Sequence, residues 1–439
     1  MSDHRASDEL LKILPTDEDL GRLQWTTLDY YLKETNPVNG LVRDKTDPAA
    51  PASIAAVGMA LATIPIAVER GVIPREMGTT IALKRLRFFH SSPQSSKSDA
   101  TGYKGFYYHF LDMETGCRVW NCELSTIDSA FLFAGILTVA AYFDRDSESE
   151  RHVRQLADEL YRRADWNWAC NGGATLTHGW RPEDGFIPHR WQGYDEGLLL
   201  YVLGLGSPTH PLPAESYAAY CATYAWKRIY DRELLYSGPL FTHQLSHLWI
   251  DFRDVRDAFM RDRGTDYFQN TRQATFMQQD YAVHNPLQFE GYGPHCWGFT
   301  ACDGPGWVKR VVNGIERQFF DYIARGAPFG PDDGTVAPWV VVASLPFAPE
   351  IVIPTVRHFA RLDLGMTRPY GFKPSFNQTF GVEGSSTGWW ATPYHFGIDQ
   401  GPVALMIENY RTGLIWQIMR KCPYVIDGLR RAGFTGGWL

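Results

Sequence analysis

Carboxylates fall at three points where a polar segment runs into an apolar one: Glu123 to Asp128 before residues 129–143, Asp195-Glu196 before residues 197–206, and Asp399 before Gln400-Gly401-Pro402-Val403. Each delivers acids at the start of a helix that composition marks as buried. Acid–base cleavage of an acetal needs one carboxylic acid to protonate the leaving oxygen and a second carboxylate to activate water or attack carbon. The two stand ~6.5–9.5 Å apart in the first case and ~5 Å in the second. Residues 179–196 add Trp180, Trp191 and Tyr194 as flat apolar platforms, with Asp184, Arg190, Asp195 and Glu196 as hydrogen-bonding groups. Pyranose rings have apolar faces and hydroxyl edges, so this mixture at the mouth of a cavity suits an oligo- or polysaccharide.

Adjacent residues on a helix point about 100° apart, so one of Asp195 and Glu196 faces a given pocket. With the helix starting at Tyr194, Asp195 sits in the first turn as a capping or dipole-compensating group, and Glu196 is the better acid. A helix N-terminus favours the carboxylate, so Glu196 keeps its proton only if burial against the neighbouring rings outweighs that effect. Asp128 and Asp399 read equally as pocket acids or as N-caps.

Further sugar contacts are expected from Gly/Pro/aromatic loops: Asp280 in residues 280–286, Trp297 and Asp303 in residues 291–306, and Glu383 with Trp389 in residues 381–390. Blander readings hold elsewhere. Glu408 within an apolar helix is better paired with Arg411 at i+3 than used in chemistry. His243 and His247 share a helix face but lack the Glu of a zinc-protease motif, and Cys296 and Cys302 near His295 lack a fourth ligand. No metal and no cofactor are expected.

The composition fits this picture. A net charge of −7 without a basic stretch argues against nucleic acid, and 44% hydrophobic residues supply a large core. The longest apolar run, residues 54–68, is interrupted by Gly58 and Pro65, so no membrane span is expected. The N-terminus has no signal-peptide pattern, which points to the cytoplasm as written, or to the periplasm if a leader has been removed. Seven cysteines without metal spacing make no disulfide framework.

Hydrophobic periodicity predicts helices over residues 8–36, 53–70, 74–90, 129–143, 149–164, 196–206, 214–228, 245–263, 267–284, 308–325, 336–345, 349–363 and 400–421. Hairpins are expected around residues 113–116 and within 165–192. Paired antiparallel helices with functional loops at one end make an all-α (α/α)6 toroid with small β-hairpin excursions. It would occupy residues 15–439 as a single catalytic domain behind a tail, 1–14.

The ordered set Glu123-Leu124-Ser125-Thr126-Ile127-Asp128, Tyr194-Asp195-Glu196, Ser207-Pro208-Thr209-His210-Pro211, Asp251-Phe252-Arg253, Asn270-Thr271-Arg272, Trp297-Gly298-Phe299-Thr300-Ala301, Asp399-Gln400-Gly401-Pro402 and Ile407-Glu408-Asn409-Tyr410-Arg411 resembles the bacterial β-1,2-glucanases of glycoside hydrolase family 144. It is similar as well to the related domain of cyclic β-1,2-glucan synthases. The resemblance implies an (α/α)6 barrel and metal-independent, inverting hydrolysis of β-1,2-linked glucan, endo or releasing sophorose and short sophoro-oligosaccharides. By motif, Glu196 takes the general-acid position, Asp128 and Glu123 match the acidic pocket segment, Asp399 is the base, and Thr300 joins the substrate contacts. The segment Ser125-Thr126-Ile127-Asp128-Ser129 carries one carboxylate fewer than the family's Asp-Leu-Val-Glu-Thr. A retaining transglycosylase, a hydrolase of another β-glycoside and a non-catalytic glycan-binding toroid are the alternatives.

Overall fold

The computed structural model describes residues 17–439 except Asp363, Met366 and Thr367. The expected tail 1–14 and the first part of the helix expected over 8–36 lie outside the described residues. The main helices are α1 (Asp17–Lys33), α2 (Ile54–Ala62), α3 (Arg75–Ser91), α4 (Thr126–Tyr142), α5 (Glu148–Arg162), α6 (Leu198–Gly206), α7 (Tyr267–His284), α8 (Pro338–Ala343), α9 (Pro349–Arg361), α10 (Gly397–Arg411) and α11 (Pro423–Arg431).

Helices α2, α6 and α8 are buried along their whole length, and α4 and α10 along most of theirs, as expected of elements that are apolar all round. α5 is amphipathic, turning Val153, Leu156, Ala157, Leu160 and Tyr161 inward. α4 packs on α2, α5 and α6, α10 on α1, α2 and α8, α3 on α5, α9 on α8, and α11 on α6. Helices α2 and α4 touch backbone to backbone. A Cβ on Gly58 would lie 2.3 Å from the Phe131 carbonyl oxygen, and one on Gly135 would lie 2.1 Å from that of Gly58. Only glycine lets two backbones approach this closely.

The starts of these helices are capped by residues the sequence supplies. Ser125 is the N-cap of α4 and its hydroxyl accepts from the Asp128 N–H, while Ser147 and Asp266 do the same for α5 and α7. Asn285, in the left-handed region at φ 43°, ends α7.

The chain is largely helical but carries strands, so the all-α expectation holds only coarsely. Parts of the two expected β excursions join one antiparallel sheet of five strands in the order Gly102–Tyr103, Phe106–Tyr108, Leu124–Ser125, Gly179–Arg181 and Gly185–Phe186, while the turn expected at 113–116 is closed by the bridge Leu111–Arg118, and Phe110–Leu111 pairs with Ala52–Ser53 instead. This sheet sets the 123–128 segment beside the 179–196 segment. The helix expected over 308–325 is instead a hairpin, Val308–Val312 with Ile315–Phe319, turning through Asn313 and Gly314, both at positive φ. Asn-Gly is a strong two-residue hairpin signal and overrides the helical periodicity there. Of the helix expected over 214–228, Ser216–Cys221 forms, and the rest enters a hairpin turning through Tyr230 and Asp231. Residues 245–263 hold a 3-10 turn and the short helix Ala258–Asp262 rather than one long helix.

Candidate active site

A cavity of about 490 Å³ opens where the N-terminal ends of α2, α4, α6, α8 and α10 meet the 3-10 segment 240–248. Ser53 comes from the start of α2, Asp128 from the first turn of α4, Glu196 from just before α6, and Trp339 from the start of α8. Phe241 and Leu245 come from the 3-10 segment, and Asp399 from the first turn of α10. Asp44, His109, Asp303 and Tyr322 complete the polar lining, and Phe110, Phe131 and Phe396 join Trp339 as apolar wall.

Helix α6 begins at Leu198, four residues later than the start taken from sequence. Asp195 indeed serves the turn: its Oδ1 accepts from the Gly197 N–H at 2.8 Å and from the Tyr220 hydroxyl at 3.1 Å. Glu196 is partly buried, its open side facing the cavity, and it forms no ion pair among the described residues. Burial, then the charges of Asp195 and Asp128, push its carboxyl up to about 8. The proton-retaining effect of burial therefore outweighs the helix end. Burial also raises Asp195, to about 7.

Asp399 is not an N-cap; Phe396 holds that position. Burial, reinforced by the charges of Asp303 and Asp44, drives the Asp399 carboxyl well above the usual carboxylate range. Asp44 is pushed up to about 6 by burial, against the pull of His109 and Lys45, and burial raises Asp303 as well. Asp128 takes part in a reciprocal cap, its backbone N–H donating to Ser125 Oγ at 3.2 Å while the Ser125 hydroxyl donates to its carboxylate. His109 lies between Glu123 Oε1, 2.9 Å from Nδ1, and Asp128 Oδ2, 3.6 Å from Nε2. Burial alone would lower this imidazole, but Asp128, Glu123 and Asp44 lift it to about 9, so it is a cation at neutral pH. Ligand atoms of His109, Glu123 and Asp128 lie within 4.8 Å of one another, a spacing their mutual hydrogen bond and ion pair account for.

Four of the sequence candidates, Glu196, Asp399, Asp128 and Asp303, line the cavity. Glu123 stands one layer behind, holding His109. Most of the others answer structural needs. Trp297 is fully buried with its indole N–H on Thr355 Oγ1, and Trp191 is 7% exposed with its N–H on Thr126 Oγ1, so neither offers a face to a sugar. Trp180 packs beside Tyr103 and Trp168. Arg190 clamps the carbonyls of Cys170 and Thr175, and Tyr194 stacks against Tyr267. Thr300 is buried and accepts from the Phe241 N–H, positioning a residue that does line the cavity. Asp280 pairs with Arg232 at 2.6 Å on the outer helix α7. Glu383 is on an exposed turn, and Trp389 lines a separate groove.

His243 and His247 are buried, with ring nitrogens near Ser237 O and Thr271 Oγ1 respectively. Glu408 pairs with Arg70 rather than Arg411. Asp44, His109 and Tyr322 are additions that sequence reasoning missed. Only His109 left a signal, as a lone imidazole inside the aromatic stretch 106–111.

Several acids around an aromatic-walled cavity, one of them holding its proton near neutrality, are the equipment of a glycoside-hydrolase type of pocket. The chain belongs to the Glycoamylase family, whose model, described as "Putative glucoamylase", matches residues 188–423. It is similar to an exo β-1,2-glucooligosaccharide sophorohydrolase acting at the non-reducing end, from Parabacteroides distasonis, at 28% identity across 95% of this chain. The chain spans 58% of that relative's length. The endo-β-1,2-glucanase of Chitinophaga pinensis, solved with sophorotriose and glucose, superposes with a TM-score of 0.84 at 26% identity, covering 97% of this chain and 100% of its own. A glucoamylase-family structure from Bacteroides uniformis superposes with a TM-score of 0.85 at 30% identity, covering 98% of this chain and all of its own.

Proposed function

We propose that the chain is an inverting glycoside hydrolase that cleaves β-1,2-linked glucan on an (α/α)6 scaffold spanning residues 15–439. The scaffold reading is supported by five inner helices and a 3-10 segment that present their N-terminal ends to one cavity, backed by α1, α3, α5, α7, α9 and α11. The observation that carries the function is the convergence of Glu196, Asp128 and Asp399 on that cavity, with Glu196 protonated up to about pH 8.

In this reading Glu196 gives its proton to the glycosidic oxygen as the bond to the anomeric carbon breaks. Asp399 draws a proton from the water that attacks the opposite face, directly or through a sugar hydroxyl. The high affinity of Asp399 for a proton makes it a strong base once ionised, at the cost of a smaller ionised fraction. Asp128, fixed between Ser125 and the His109 cation, offers a carboxylate edge to sugar hydroxyls and to the positive charge that develops on the ring. Phe110, Phe131 and Trp339 give the apolar faces something to pack on.

The test is hydrolysis of linear β-1,2-glucan beside β-1,3-, β-1,4- and β-1,6-glucans, with products sized by chromatography and the first anomer read by proton NMR. Selective cleavage of the β-1,2 polymer with the α-anomer appearing first is expected. Initial release of the β-anomer contradicts inversion, and cleavage confined to another linkage contradicts the substrate.

A further inference from the structure

Beside the active-site cavity lies a groove of about 420 Å³ that no step of the proposed reaction uses. The two share a wall. Lys373 and His395 face the groove while their chain neighbours Pro374 and Phe396 face the cavity, so one thickness of backbone at two places separates them.

The groove's floor comes from the strand Trp389–Ala391 and the turn before it. Trp389 lines the groove but is packed against the core, its ring centroid 5.3 Å from that of Phe376. Trp390, the next residue of the strand, also lines the groove, is half-buried, and makes no ring contact among the described residues. It is a flat apolar surface on which no ring is stacked among the described residues. Around it stand two hydrogen-bonding groups, the exposed hydroxyl of Ser386 and the Lys373 ammonium, which donates to Pro393 O at 2.9 Å and has further protons to give, and His395 closes the wall beside them. His395 is 9% exposed, yet its Nε2 finds no hydrogen-bond partner among the described residues. That nitrogen is itself sealed from the groove, so the ring closes the wall rather than offering the groove a bond.

We infer that this groove is a secondary binding site for the glucan chain, with Trp390 as the stacking platform for a glucose residue beyond those held in the cavity. The inference rests on the glucanase reading above. An aromatic face flanked by donors and a hydroxyl matches a neutral pyranose, and the shared wall places the groove where a polymer leaving the cavity can reach it. The groove would then separate long substrates from short ones without touching the bond that breaks.

The experiment measures kcat/KM on β-1,2-gluco-oligosaccharides from trisaccharide to polymer for the wild type, Trp390→Ala and Ser386→Arg. Ser386 is exposed, so its substitution obstructs the groove without disturbing the core. Both variants should lower the polymer-to-trisaccharide ratio of kcat/KM by about tenfold, the size of one lost aromatic contact. An equal loss at every length, or an unchanged ratio in both variants, overturns the groove while leaving the hydrolase reading intact. A wild-type chain that leaves every length uncut overturns both.

Discussion

Glu196 and Glu408 are the same side chain in opposite circumstances. Glu408, 1% exposed in α10, receives the Arg70 guanidinium in two bonds of 3.0 and 2.8 Å, Gln24 Nε2 at 3.1 Å and the Thr412 hydroxyl at 2.6 Å. Glu196 has no such cation among the described residues and faces a cavity shared with four other acids. An acid that stitches helices together is supplied with charge and donors, and an acid meant to release a proton is denied them. Arg325–Asp333, fully buried with a 2.7 Å contact, repeats the first pattern, and Asp399 with Asp303 and Asp44 repeats the second.

Exchanging the acids' chemistry should break this contrast most visibly at Glu196. Glu196→Gln is expected to lower kcat on the glucan by about 10³-fold or more, read by reducing-sugar release. The same variant should be the more stable protein at pH 8. A carboxyl raised from 4.5 to about 8 binds a proton in the folded chain that the unfolded chain has shed, so stability falls as pH rises between those values. Thermal melts should therefore show a Tm gain on the order of 2 °C at pH 8 and none near pH 4.

Glu408→Gln should do the reverse. It strands a half-buried guanidinium, costing about 3 kcal/mol in denaturant titrations while the folded fraction keeps the wild-type pH profile. Asp399→Asn is expected to lower kcat on the order of 10²-fold with KM little changed. The smallest effect sharpens the comparison. Asp195→Asn removes the second cause of the Glu196 shift, so the alkaline limb of kcat/KM, expected at about 8 in the wild type, should move to lower pH.

The long helices were legible where apolar runs met clear caps: the span of α7 follows from its period, with Asp266 before it and Asn285 after it. Residues 308–325 were not, because their spacing mimics a helix while Asn313-Gly314 dictates the turn. Glu196, Asp399 and Asp128 were legible as acids where polar segments run into apolar helices, although capping was an equal reading for the last two, and Asp303 was legible from its Gly/Pro/aromatic loop. The aromatic residues misled. Trp297, Trp191 and Tyr194 sit in loop-like sequence, yet their rings serve the core, since indole and phenol groups satisfy their polar ends within the protein. Asp44 was invisible because what makes it part of the site is the fold that returns residues 40–45 beside α10, through Gly397 N–H to Asp44 O at 2.7 Å.

The most direct trial of Glu196 as the proton donor compares two leaving groups. Wild type and Glu196→Gln would be assayed on a β-1,2-linked gluco-oligosaccharide and on the matching dinitrophenyl glycoside, whose phenolate departs without a proton. The variant should lose most of its rate on the first and keep most of it on the second. Equal losses on both would show that Glu196 does something other than protonate the departing oxygen.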